Sequence, residues 1–177
     1  YQLLLAHDIA AVAPTCHALS DAAKIALKLR PFSGEVVTLA GHSRRLCSVA
    51  AAPDGRIITG SDDETVKVWR DGACERTIQA HTENVRAVAV LPGGARFVSG
   101  GGDYVEAKLW TLDGDLERTF DTSRSNALSI ALLPDCVHFV VGLSVQNATT
   151  RGEGCDIRLY HVDGTLVHTF KGHMKSV

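Results

Sequence analysis

The chain has no long apolar run and no excess of charge of either sign. No stretch approaches the roughly 18 consecutive apolar residues that a membrane-crossing helix needs, so a transmembrane reading fails. The formal net charge of −2 leaves no electrostatic case for the chain as a whole binding nucleic acid or a membrane surface. Cysteine is scattered: Cys16, Cys47, Cys74, Cys136 and Cys155 are odd in number and form no C-x-x-C pair. That pattern argues against a disulfide scaffold and leads us to expect free thiols in a reducing compartment, cytoplasm or nucleus. Leu3-Leu4-Leu5-Ala6 is too short, and lacks the positive flank, for a signal peptide. An initiating methionine is also missing, and the end at Gly172–Val177 is abrupt, so the expectation is a piece of a longer polypeptide. What is present, 45% hydrophobic residues over 177 positions, makes the chain globular rather than disordered.

Two stretches repeat each other. The first contains Gly41-His42-Ser43-Arg44-Arg45, Pro53-Asp54-Gly55, Thr59-Gly60-Ser61-Asp62-Asp63 and Trp69. The second contains Ala80-His81-Thr82-Glu83-Asn84, Pro92-Gly93-Gly94, Ser99-Gly100-Gly101-Gly102-Asp103 and Trp110. His42 to His81 is 39 residues, Pro53 to Pro92 is 39, and Trp69 to Trp110 is 41. A period of about forty means one supersecondary unit copied in tandem. With short strands and no long helical pattern inside it, that unit is a four-stranded propeller blade.

Alternating runs between turn residues predict strands over Leu46–Ala52, Arg56–Gly60, Thr65–Trp69 and Cys74–Gln79 in the first unit. The second predicts Val85–Leu91, Ala95–Gly100, Glu106–Trp110 and Asp115–Phe120. A weaker third unit predicts Ala127–Leu133, Val137–Gly142, Asp156–Tyr160 and Thr165–Phe170. There Ser123 stands in the histidine's place, Tyr160 in the tryptophan's, and Leu143–Gly154 reads as a polar insertion. Glu35–Leu39 reads as an outer strand of a preceding or closing blade.

The Gly-His opening (Ala80-His81 in the second copy), the proline turn, a Ser or Thr followed by Gly and an Asp four positions on, and the terminal Trp, recurring at blade period with two extra residues before Trp110, resemble the WD-repeat β-propeller family over about residues 35–177. The expected fold is all-β: an incomplete propeller of about three four-stranded antiparallel blades, preceded by a short α-helical segment. The resemblance implies that His42, Thr59, Asp63 and Trp69, and likewise His81, Ser99, Asp103 and Trp110, form hydrogen-bonded structural tetrads. A Ser-His-Asp hydrolase using His81, Ser99 and Asp103 is the rival reading. A catalytic set should occur once, however, and a set repeated at blade period speaks for architecture. No enzyme activity and no cofactor are expected.

In such a fold function sits on the rim. The candidate partner-binding residues are Arg44, Arg45, Glu83, Arg86, Arg151 and Glu153, the last two in the insertion. Histidines and cysteines never fall at close zinc-ligand spacing, so no metal is expected.

Residues 1–34 differ in kind. Ile9, Val12, Cys16 and Leu19 belong to a set recurring at three or four, which predicts helix near Asp8–Ala13 and from Thr15 to Leu29. The run Leu5–Ala23 resembles the latter part of an F-box, although Pro14 is atypical there. If so, those four residues dock a ubiquitin-ligase adaptor and the chain is the substrate-recognition subunit of a cullin-type ligase. A plain amphipathic helix packed on the propeller fits the same pattern, and the residues leave both open. The expected function is a non-enzymatic scaffold for other proteins or peptides. Three blades also fall short of the usual four to eight, so the piece alone is expected to be poorly soluble, oligomeric or partly unfolded.

Overall fold

The computed structural model describes residues 36–102, 106–122, 125–144 and 156–171. Within them lie twelve strands and no helix. The first sheet consists of β1 (Leu46–Ala51), β2 (Ile57–Ser61), β3 (Thr65–Arg70) and β4 (Ala73–Gln79). The second consists of β5 (Val85–Val90), β6 (Arg96–Gly101), β7 (Glu106–Thr111) and β8 (Leu116–Asp121). The third consists of β9 (Asn126–Leu132), β10 (His138–Ser144), β11 (Ile157–His161) and β12 (Leu166–Phe170). Every sheet is an antiparallel meander in sequence order.

The turns follow from their residues. Asp71 and Gly72, at φ 48° and 85°, both occupy the left-handed region that a two-residue hairpin requires. Gly55 and Gly94 donate their amides back to Ala52 and Leu91, closing the first turn of each sheet at φ 89° and 71°. In the third sheet Cys136 fills that place at φ 67°, a conformation that costs a non-glycine residue about 1–2 kcal/mol.

The sheets stack face to face around two cores. Ile58, Val66, Val68 and Ile78 of the first pack on Val85, Val88, Phe97 and Trp110 of the second. Val98, Ala107, Leu109 and Phe120 of the second pack on Ala127, Phe139, Val141, Leu143 and Tyr160 of the third. Each fully buried side chain of this size contributes about 1.5–3 kcal/mol. Close approach depends on glycine: a Cβ on Gly60 would lie 2.7 Å from Val85 Cγ1, and one on Gly100 would lie 2.7 Å from Ala127 Cβ. Innermost strands β1, β5 and β9 lie side by side, and the Val88 amide of β5 donates to Ser48 Oγ of β1 at 3.1 Å. Outer strands β4 and β8 bury only Ile78 and Phe120.

Strand ends agree with the sequence expectation to within one or two residues. Two expectations are corrected. Residues 36–39 form no strand; Val37 lies against Gly72 instead, and Gly41 against the Trp69 ring. Leu143 does not open an insertion: it and Ser144 continue β10, pairing with Ala127 and Asn126. The expected N-terminal helices and the rest of the insertion, Arg151 and Glu153 included, lie outside the described residues.

Candidate functional site

The first tetrad is assembled from a loop and two strands. Trp69 on β3 donates its indole N–H to Thr59 Oγ1 on β2 at 2.8 Å. His42 Nε2 lies 2.7 Å from the same oxygen, and its Nδ1 lies 2.9 Å from Asp63 Oδ2. Indole is a donor only, so Thr59 accepts from Trp69 and gives its own hydrogen to His42, which donates to Asp63. Burial alone would raise the Asp63 carboxyl. Hydrogen bonds from the Thr65 hydroxyl, the His42 ring and the Ser43 and Thr65 amides outweigh it and hold the group well below the usual carboxylate range.

The second set repeats this. His81 Nε2 lies 2.8 Å from Ser99 Oγ, which also accepts from the Trp110 indole at 2.9 Å. Asp103 lies outside the described residues. In the third sheet Val141 occupies the hydroxyl position: it faces Arg158 as Thr59 faces Lys67 and Ser99 faces Lys108. Tyr160 therefore has no side-chain hydroxyl opposite it and donates to the Asp121 backbone carbonyl at 2.6 Å. Packing replaces the lost polar link, since Phe120, Phe139 and Tyr160 form a cluster with ring centres 4.9–5.7 Å apart.

These hydroxyls are poorly disposed for nucleophilic catalysis. Ser99 is 0% exposed and Thr59 3%, and each oxygen is already occupied by an indole N–H. An acyl-transfer nucleophile needs an open approach and an oxyanion hole.

The rim residues separate into groups. At one end of the inner strands, every strand carries a bulge: the ladder skips Cys47 between Leu46 and Ser48, Arg86 between Val85 and Ala87, and Leu128 between Ala127 and Ser129. A bulged residue is released from pairing and re-aimed. Together with Arg45 and Leu46, these three line one recess of about 330 Å³. Asp62 accepts there from Arg45 Nε and from the Cys47 thiol, both at 3.0 Å. Burial and the bond to Asp62 push the Cys47 thiol up, away from the thiolate a nucleophile needs. Arg86 Nε is buried without a hydrogen-bond partner among the described residues. Arg44 turns aside to the Asp62 carbonyl at 3.5 Å, and Glu83 is exposed. Sequence reasoning thus selected Arg45 and Arg86 but missed Asp62, Cys47 and Leu128. The signal of Cys47 and Leu128 is the bulge, which appears only once the register is known, and Asp62 is found as the partner of Cys47 and Arg45.

Among the described residues no group of three or more His, Cys, Asp or Glu could hold a metal ion, and no helix is long and apolar enough to cross a membrane. Cys47 and Cys74 are free, whereas Cys136 is disulfide-bonded, which corrects the expectation of five free thiols. Ile9, Val12, Cys16 and Leu19 lie outside the described residues.

Comparison with known families matches residues 33–70 and 72–105 to the WD domain, G-beta repeat. The match covers the strands of the first sheet and opens the second, and does not extend to the third. The chain is similar to phospholipase A-2-activating protein of Xenopus laevis, 44% identical over 55 residues, covering 31% of this chain and 7% of that protein. It is 43% identical over 74 residues to pre-mRNA-processing factor 19 homolog 2 of Arabidopsis thaliana, covering 38% of this chain and 14% of the relative. It is 35% identical over 86 residues to nuclear distribution protein PAC1 of Arthroderma otae, covering 42% and 18%. The chain thus spans only a small part of the length of these relatives.

Proposed function

We propose that this chain is part of a non-enzymatic WD-repeat scaffold, intracellular in setting, that holds another protein on the sheet end carrying Arg45 and Arg86. The observation that carries this reading is the shared bulge. Three tandem sheets present Cys47, Arg86 and Leu128 around one recess, and the Arg86 Nε there has no protein acceptor among the described residues. An arginine held on a rigid platform, with apolar Leu46 and Leu128 beside it, suits a partner segment that brings an acidic side chain and an apolar neighbour. The tetrads behind it serve as fastenings that keep the platform stiff.

The test uses an array of acidic 12-residue peptides, with their basic counterparts as controls, probed with the 177-residue chain and with its R45E/R86E variant. Retention of the acidic set by the parent, lost in the variant, supports the reading. Equal retention by both chains overturns it. The finer form, a substrate-recognition subunit of a cullin-type ligase, rests on the F-box resemblance of residues 5–23. Adaptor co-purification abolished by I9D/V12D supports that form, and co-purification that survives both changes removes it.

A further inference from the structure

We propose that His138 and His161 form a two-histidine site for a borderline divalent transition metal, Zn²⁺ or Cu²⁺, on the third sheet. The two residues are 23 positions apart in sequence, yet they are direct cross-strand partners on β10 and β11. Their ring centres lie 4.9 Å apart, with planes inclined at 68°. An ion about 2.0–2.1 Å from each Nε2 at a roughly tetrahedral angle places two imidazole centres about 5 Å apart.

Each ring is held from behind by a carboxylate. His138 Nδ1 lies 2.6 Å from Asp135 Oδ2, and His161 Nδ1 lies 2.9 Å from Asp163 Oδ1. Both aspartates sit in turns whose amides donate to them, Thr165 to Asp163 at 2.9 Å and His138 to Asp135 at 2.9 Å. An ionised carboxylate only accepts, so it fixes the hydrogen on Nδ1 and leaves the lone pair of a neutral ring on Nε2. That is the carboxylate–histidine arrangement found behind metal ligands. The Asp163 amide also lies 3.2 Å from His161 Nδ1, and bonds it in the opposite tautomer. A metal at Nε2 selects the carboxylate-bonded tautomer, because only that one frees the lone pair. Neither Nε2 has a hydrogen-bond partner among the described residues, and the side chains are 27% and 32% exposed.

The pair is peculiar to this sheet. At the corresponding place in the first sheet Arg56 and Arg70 both bind Asp54, at 2.7 and 3.5 Å. In the second, Arg96 faces Thr111. Neither place offers an imidazole lone pair, and a guanidinium has no acceptor for a metal. The third sheet alone puts two imidazoles there, each with its own carboxylate. Two protein donors leave the remaining positions to water or to a ligand brought by a partner.

Calorimetric titration of the full chain with Cu²⁺ and with Zn²⁺ tests this. The expected result is one equivalent bound, tighter for Cu²⁺, absent from H138A and from H161A, retained in H168A, and weakened about 10–100-fold in D163N. Binding that is unchanged in H138A and H161A overturns the proposal, as does no binding by the parent chain. Should either alanine variant fail to fold, substoichiometric Cu²⁺ is added to the parent and its histidine ring resonances are followed. Broadening of His138 and His161 ahead of His168 and His42 supports the site, and uniform broadening overturns it. Neither result depends on peptide binding at the Arg86 end.

Discussion

Tyr160 hands its phenol hydrogen to the Asp121 carbonyl at 2.6 Å, doing across a sheet boundary what the indoles of Trp69 and Trp110 do inside their own sheets. The acceptor has changed from a side chain to the backbone, and Arg158 reaches the same carbonyl at 3.1 Å. Tyr160→Phe should therefore cost only about 0.5–1.5 kcal/mol, because Asp121 keeps one donor. Chemical denaturation of the two chains measures it. A loss above about 3 kcal/mol would show that the phenol carries more than one neutral hydrogen bond.

Trp69→Ala and Trp110→Ala should each cost about 3–5 kcal/mol, since both rings are nearly fully buried and each truncation also removes one donor from a buried hydroxyl. Unchanged melting temperatures in both variants would contradict the fastening role.

Gly60→Ala and Gly100→Ala should destabilise by about 1–3 kcal/mol through overpacking, each new methyl meeting a neighbouring sheet at 2.7 Å. Gly93→Ala is the control, with nothing within 4 Å of the added carbon but a φ of 95°. Its smaller loss would be backbone strain alone, and equal losses at all three sites would refute the packing account.

Asp63 is an acid-linked group. Its folded pKa is depressed, so its contribution is complete above the unfolded value near 4 and disappears as pH falls below it. The stability of the parent should therefore drop below about pH 4 more steeply than that of Asp63→Asn. Parallel acid limbs would show that the carboxylate is not held by its donors.

A serine-directed phosphonate probe should leave Ser99 unlabelled in the folded chain, given its complete burial and its indole partner. Labelling at Ser99 would revive the hydrolase reading.

The fold was legible wherever a local pattern carries it. The turns at Pro53-Asp54-Gly55 and Asp71-Gly72 and the period-two runs place the strands, because backbone chirality and burial act over a few residues. Three kinds of feature escaped. The strand expected at Glu35–Leu39 has a suitable composition, but a strand exists only beside an edge, and composition cannot supply one. Leu143 looked like the start of a polar loop because the residues after it are polar, yet it is fully buried against the second sheet. Within the candidate site, Arg45 and Arg86 stood out by type, whereas Cys47 and Leu128 depend on bulge register, Asp62 on its contact with Cys47, and His138 with His161 on pairing between distant strands. Register is set by the whole sheet, and no short window of residues contains it.

The position held by Cys47, Arg86 and Leu128 has a bearing on how such a chain diversifies. A residue excused from the ladder owes nothing to its neighbours across the strand, so a thiol, a guanidinium and an isobutyl group can occupy equivalent points without disturbing the sheets beneath. Each tandem copy then offers one interchangeable tip, and what the assembled surface recognises can be rewritten one copy at a time while the framework stays as it was.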